Sequence, residues 1–194
     1  NGDGYDDVVA GAPNANKTND LEGPVPYDRS GRAYIWYGSN GGISNSSLAD
    51  VTLENMMYDN SRFGASLAIG DVDGDGFGDL FVGASTTYNS GTEDTGKGRV
   101  YGWYGKEEWI QNASLPDLTF DNIQQNEVTA RGQMGADIAV GDVNGDGFAD
   151  LAAGANMADN GVKTMAGRVY MWYGSKSGMI NGSEPDVTLE DLTA

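Results

Sequence analysis

The chain has 194 residues, of which 29 are acidic and 11 basic, giving a formal charge of -18, and it contains no histidine and no cysteine. That inventory excludes thiol nucleophiles, disulfide staples, imidazole bases and the common zinc and copper ligand sets, and so acidic a surface repels nucleic-acid phosphates and anionic membranes. A hydrophobic content of 39% with 10% aromatics is that of a folded core, and no apolar run approaches the ~20 residues needed to insert across a bilayer.

In chain order, residues 1–7 (NGDGYDD) form a loop, and residues 8–13 (VVAGAP), 31–38 (GRAYIWYG) and 50–54 (DVTLE) read as strands. The series returns about 71 residues later, now with a further strand in front: 63–70 (FGASLAIG), the loop 71–79 (DVDGDGFGD), then 80–85 (LFVGAS), 98–105 (GRVYGWYG) and 117–121 (DLTFD). It returns again as 134–141 (MGADIAVG), 142–150 (DVNGDGFAD), 151–156 (LAAGAN), 167–174 (GRVYMWYG) and 186–190 (DVTLE). The segments are rich in β-branched, aromatic and small apolar residues and are bounded by Gly/Asn/Asp/Ser clusters, the pattern of short strands between turns. Val51 and Leu53 face one way and Thr52 and Glu54 the other, and no window holds a helical period. Strands repeated at a constant interval predict an all-β, β-propeller-type fold of four-stranded antiparallel blades. The units are residues 1–60, lacking the first strand, 61–131 and 132–194. The Tyr-x-Trp pairs Tyr34/Trp36, Tyr101/Trp103 and Tyr170/Trp172 are expected to fill the space between blades rather than form a sugar-stacking ladder.

The loops carry the chemistry. In DVDGDGFGD, acids stand at positions 1, 3, 5 and 9. Calcium takes six to eight oxygens at roughly 2.3–2.6 Å in a geometry that a flexible loop can wrap. Asp71, Asp73 and Asp75 supply side chains, Phe77 a backbone carbonyl, and Asp79 closes the shell from the start of the next strand. The third copy offers Asp142, Asn144, Asp146, the Phe148 carbonyl and Asp150; the first offers Asn1, Asp3, the Tyr5 carbonyl and Asp7. Carboxylates gathered within ~4–5 Å repel by about 1 kcal/mol per pair even in water, so an unfilled cluster costs stability. Hard oxygen donors exclude soft metals, and magnesium, which keeps its waters, fits less well. An EF-hand needs a bidentate Glu at position 12 and flanking helices; position 12 here is Ala10, Val82 or Ala153, and the flanks are strand-like.

Residues 63–85 (FGASLAIGDVDGDGFGDLFVGAS) resemble the FG-GAP repeat, the blade unit of integrin α-subunit propellers and of many bacterial and archaeal surface proteins. Phe63-Gly64 is the FG element and Gly11-Ala12-Pro13 a literal GAP; the other copies depart to Gly83-Ala84-Ser85, Gly154-Ala155-Asn156 and, for FG, Met134-Gly135. The resemblance covers essentially the whole chain. It implies propeller blades, calcium in the loop between the first two strands, and roles in adhesion or extracellular recognition. Propellers of the integrin kind usually have seven blades. Three fall below the usual four to eight, so the chain is expected to be a piece of a larger protein, or to join other copies head-to-tail by strand completion.

Four Asn-x-Ser/Thr sequons mark Asn16, Asn45, Asn112 and Asn181 as candidate glycosylation sites, and the last three each lie seven residues beyond the glycine closing the Tyr-x-Trp-Tyr-Gly strand. With calcium, they predict an extracellular or cell-surface protein. The absence of cysteine leans toward a prokaryotic surface. An up-down blade puts the calcium loops and sequons on one face and the long loops 13–30, 85–97 and 156–166 on the other. That calcium-distal face is where a protein or glycan ligand is expected. The reading is a calcium-binding module for adhesion, recognition or assembly, with a structural subunit of a surface layer or filament as the alternative. A polysaccharide-acting enzyme ranks below both: no nucleophile motif or phosphate loop occurs and every well-placed acid is a metal ligand, so no catalysis is expected.

Overall fold

The computed structural model describes residues 1–16, 29–45, 47–54, 60–86, 96–107, 110–112, 114–122, 132–159 and 163–190. Among the described residues eleven strands form three antiparallel sheets. The first holds β1 (Val8–Ala12), β2 (Arg32–Trp36) and β3 (Val51–Glu54) in the order β1-β2-β3. The second holds β4 (Phe63–Gly70), β5 (Asp79–Ala84), β6 (Arg99–Trp103) and β7 (Leu118–Asp121), again in chain order. The third repeats it with β8 (Met134–Gly141), β9 (Asp150–Ala155), β10 (Arg168–Trp172) and β11 (Val187–Glu190). These are propeller-type blades, the first without the leading strand, as the repeat pattern predicts. Among the described residues no helix is long and apolar enough to cross a membrane.

Alternation along each strand sorts side chains onto the two faces of a blade. Ala33, Ile35, Val51 and Leu53 of blade 1 pack against Phe63, Leu80, Val82, Ala84, Tyr101 and Trp103 of blade 2. The other face of blade 2 sets Phe81, Val100, Leu118 and Phe120 against Met134, Ile138, Leu151, Ala153, Tyr170 and Trp172 of blade 3. The Tyr-x-Trp pairs of blades 2 and 3 are thus interface residues; Phe120 lies 4.6 Å, centroid to centroid, from Trp172. Burying a large apolar side chain is worth about 1.5–3 kcal/mol, so the two interfaces hold the stack together.

The FG and GAP elements meet across these interfaces. At Phe63 and at Met134 the pairing with β5 and β9 shifts register, making a bulge. There Gly64 and Gly135 adopt φ of 83° and 78°, the left-handed region open to glycine. The bulge presses each glycine onto the preceding blade, where a methyl at Gly11 would overlap the carbonyl of Gly64 and one at Gly83 that of Gly135. Parallel bridges join Gly31 to Phe63 and Gly98 to Met134.

Candidate functional site

Each Asp-rich loop is folded by its own carboxylates. Asp71 accepts the Gly74 N–H on Oδ1 (2.6 Å) and the Gly76 N–H on Oδ2 (2.9 Å). Asp73 Oδ1 accepts from the Asp75 N–H (3.1 Å), and Asp75 Oδ1 from the Phe77 N–H (2.8 Å). Blade 3 repeats the set: Asp142 accepts from Gly145 and Gly147, Asn144 from Asp146, and Asp146 from Phe148. In blade 1 Asn1 accepts from Asp3 and Asp3 from Tyr5. Side chains at alternate positions are thereby held against the backbone of their own loop, which fixes where their oxygens lie.

Asp71, Asp73 and Asp79 each bring a carboxylate oxygen within 4.8 Å of the others. Among the described residues this is the carboxylate group close enough to share one ion; Asp75 stands outside it, and the third loop replaces one carboxylate with Asn144. Asp79 is 1% exposed. Burial pushes its pKa up to about 7, against the Val72 and Gly105 N–H groups that hold it down. Asp73 is also raised, first by burial and further by Asp75 and Asp71. Two partly desolvated carboxylates facing a third is an arrangement that a divalent cation relieves. The donor set is all oxygen, which fits a hard ion.

Asp79 has a second task. Its Oδ2 accepts from Val72 N–H (2.7 Å) and its Oδ1 from Gly105 N–H (2.8 Å). Asp7 Oδ1 and Asp150 Oδ1 take the Gly38 and Gly174 N–H groups in the same way. The loop of blade 2 is also gripped by blade 3, with the Ala149 N–H donating to the Asp71 carbonyl and the Ser175 N–H to the Val72 carbonyl, both at 2.9 Å. Phe148 packs on Gly74, as Phe77 does on Gly2, where a methyl would lie 2.6 Å from the ring. Val72 is fully buried whereas its counterpart Val143 is 61% exposed.

The sequons have a folding role that the sequence alone does not reveal. Asn112 Oδ1 accepts the Thr52 N–H and Asn181 Oδ1 the Thr119 N–H, each at 2.7 Å and each from the preceding blade. The indole N–H groups of Trp36, Trp103 and Trp172 donate to the carbonyls of Ser47, Ser114 and Ser183, the sequon serines. Tyr37 and Tyr104 reach into the next blade to donate to the Ile110 and Met179 carbonyls. Asp50, Asp117 and Asp186 accept the Tyr37, Tyr104 and Tyr173 N–H groups. The last set could have been found in the sequence, since each aspartate stands 13 residues after its tyrosine. Asn112→Ala is expected to lower stability by about 1 kcal/mol, while Ser114→Ala, which also destroys the sequon, leaves stability within about 0.5 kcal/mol. Urea denaturation distinguishes the two; equal losses would refute the latch.

Most of loops 13–30 and 85–97, and residues 160–162 of loop 156–166, lie outside the described residues, so the greater part of the expected ligand face lies outside them too.

Known proteins extend this picture. The FG-GAP repeat family matches residues 1–36, 63–103 and 134–172. Phosphatidylinositol-glycan-specific phospholipase D of Mus musculus is 36% identical over 152 residues, which are 76% of this chain and 18% of that protein. Integrin alpha-V of Gallus gallus is 32% identical over 179 residues, 92% of this chain and 15% of that protein. Integrin alpha-11 of Homo sapiens is 31% identical over 135 residues, 68% and 10% respectively. The chain therefore spans less than a fifth of the length of these relatives. The expectation of no catalysis is corrected by the first match and by its rat, bovine, human and Dictyostelium counterparts, all named as an enzyme. The lack of a nucleophile motif within 194 residues does not measure a protein of which the chain matches 18%. These relatives, from animals and an amoeba, give no support to a prokaryotic origin. Blades whose Phe-Gly or Met-Gly bulge seats on the glycine of a preceding Gly-Ala-x turn, each with an Asp-rich loop, together with the family match over all three repeats, place this chain in the FG-GAP repeat family.

Proposed function

We propose that the chain is a calcium-binding repeat module of an extracellular or cell-surface protein, serving adhesion or recognition. The observation that carries this reading is the Asp71, Asp73 and Asp79 cluster within 4.8 Å, built on a loop whose oxygens are prearranged by backbone N–H groups. Asp75 and the Phe77 carbonyl complete the set in blade 2. Asp142, Asn144, Asp146, Phe148 and Asp150 form the blade 3 site, and Asn1, Asp3, Tyr5 and Asp7 a third. The ion neutralises like charges gathered only by folding, so it stabilises the fold. Asp73→Ala is expected to lower the melting temperature in calcium and to change it little in chelator, because the side chain makes one backbone bond of its own. Calorimetric scans in both media check this; an equal loss in both would overturn the assignment.

Asn16, Asn45, Asn112 and Asn181 are exposed. The inter-blade latch uses Oδ1 and leaves Nδ2, the atom a glycan would take; mass analysis of the secreted protein tests this.

A second reading is favoured by the mouse, rat and bovine matches. It makes the module part of a phosphatidylinositol-glycan-specific phospholipase D. Release of a glycosylphosphatidylinositol-anchored protein by the protein that carries this chain would support it; no release would count against it.

A further inference from the structure

Residues 39–42 (SNGG) make a tight turn in the sequon loop of blade 1. The Gly42 N–H donates to the Ser39 carbonyl (2.8 Å) and the Ser39 hydroxyl to the Gly42 carbonyl (3.0 Å). Gly42 supplies the left-handed residue, with φ of 70°. Asn40 and Gly41 form the corner. Both are exposed, and a methyl at Gly41 would meet nothing within 4 Å. Among the described residues neither the Asn40 amide nor the Gly41 N–H has a hydrogen-bond partner.

That freedom matters because an asparagine followed by glycine carries its own nucleophile. The backbone nitrogen of the following residue can attack the side-chain amide carbon, and glycine obstructs the approach least and adopts the widest range of backbone angles. The attack needs an amide free to turn over its own peptide and an N–H free to lose its proton. Asn-Gly occurs at residues 1, 40, 144, 160 and 181, and residue 160 lies outside the described residues.

At three of the remaining four the fold holds the reacting groups. Asn144 Oδ1 accepts from the Asp146 N–H (2.9 Å) and its Nδ2 donates to Asp146 Oδ2 (3.0 Å), while the Gly145 N–H is bound by Asp142 Oδ1 (2.7 Å). Asn181 Oδ1 accepts from the Thr119 N–H (2.7 Å) and the Gly182 N–H donates to the Thr119 carbonyl (3.1 Å), so both are tied to blade 2. The Asn1 amide is bound at both ends by Asp3 (3.0 and 3.2 Å).

The openness at Asn40 belongs to the turn itself and not to what lies beside blade 1. Blade 3 has the same turn at Ser175–Gly178, closed by the Gly178 N–H on the Ser175 carbonyl (2.7 Å). There the Tyr104 hydroxyl of blade 2 lies against Gly178 and accepts the Met179 N–H (2.8 Å). Lys176 and Ser177, the counterparts of Asn40 and Gly41, are exposed all the same.

We propose that Asn40 is a site of spontaneous deamidation, selected by the fold from among the Asn-Gly pairs of the chain. The Gly41 nitrogen loses its proton and bonds to Asn40 Cγ; the Cγ–Nδ2 bond breaks and Nδ2 leaves, reprotonated, as ammonia. Water adds to either carbonyl of the resulting cyclic imide, and the ring opens to aspartate or isoaspartate. One water is consumed and one ammonia released. The new carboxylate stands two residues from Gly38, whose N–H is bound by Asp7 of the Asp-rich loop. Isoaspartate also inserts a methylene into the main chain and so breaks the Ser39–Gly42 turn.

The test uses the 194-residue chain made in a bacterial host that adds no N-glycans, incubated in mildly alkaline buffer with calcium. Peptide mapping by mass spectrometry follows each Asn-Gly pair. Asn40 is expected to convert roughly tenfold or more faster than Asn181, which must first give up two hydrogen bonds. In guanidinium chloride, where only local sequence acts, the advantage should vanish. Asn181 is the deciding comparison because its restraints owe nothing to a cation, so the outcome is separate from the calcium reading. Gly41→Ala should slow Asn40 roughly tenfold and leave Asn181 unchanged; circular dichroism verifies that this variant is folded. Conversion of Asn181 in the folded chain as fast as Asn40 would overturn the proposal. So would an advantage of Asn40 that persists in guanidinium chloride, since sequence and not the fold would then select it.

Discussion

Gly83→Ala is expected to destabilise the chain by about 3 kcal/mol, whereas Gly154→Ala, at the same place in the next repeat, changes stability by less than about 0.5 kcal/mol. The difference lies in what each glycine faces. At Gly83 a methyl would overlap the carbonyl of Gly135 and the Ser66 hydroxyl, both committed to the interface by the hydrogen bond between them (2.8 Å). A backbone carbonyl cannot swing aside as a side chain can, so relief requires blades 2 and 3 to move apart and lose contacts among Phe81, Val100, Met134 and Ala153. At Gly154, among the described residues, the nearest atom is the Asp137 carbonyl oxygen at 3.5 Å, an ordinary van der Waals distance. Urea unfolding of both variants gives the comparison. Equal effects would mean that the glycine serves strand conformation, not the approach of the next blade.

Asp79→Ala is expected to cost about 3 kcal/mol in chelator and more in calcium. Its carboxylate is the buried acceptor for both Val72 and Gly105 N–H groups, and each buried donor left unpaired costs about 1–3 kcal/mol. That part of the loss is independent of any ion. An additional loss in calcium would measure the part Asp79 takes, with Asp71 and Asp73, in the proposed site. Asp79→Asn, which keeps one carbonyl oxygen, should fall between wild type and Ala in chelator. Equal losses in the two media would leave Asp79 as a staple alone; a loss below about 1 kcal/mol in chelator would remove the staple. Asp73→Ala makes the complementary test, since Asp73 is a candidate ligand with little structural work.

If the loops bind calcium as proposed, physical differences between them imply an order of affinity. The loop of blade 2 is held by Ala149, Ser175 and Phe148 of blade 3 and carries a carboxylate at each candidate side-chain position, Asp71, Asp73, Asp75 and Asp79. The loop of blade 3 substitutes Asn144 and leaves Val143 exposed. A rigid, more negative site binds a cation more tightly.

The sequence by itself determined the strands and their order, and marked out the Asp-rich loops. These depend on patterns within ten residues or so, alternation in Val51–Glu54 and Gly and Asp spacing in residues 71–79, which recur at an interval of about 71 residues. It also placed the Tyr-x-Trp pairs of blades 2 and 3 between blades, because large aromatics in short strands have nowhere else to be buried. What it did not determine are relations between residues about 60 to 75 apart. Asn112 looks like a glycosylation signal and proves to be the acceptor for Thr52; Tyr104 looks like part of an aromatic strand and proves to hold Met179. Gly83 and Gly154 are indistinguishable in their motifs, yet one touches backbone and the other open space. Local pattern fixes local conformation because the hydrogen bonds and side-chain alternation that create a strand act over adjacent residues. Which donor meets which acceptor across a blade interface is set by the packing of whole sheets, and only the tertiary structure decided it.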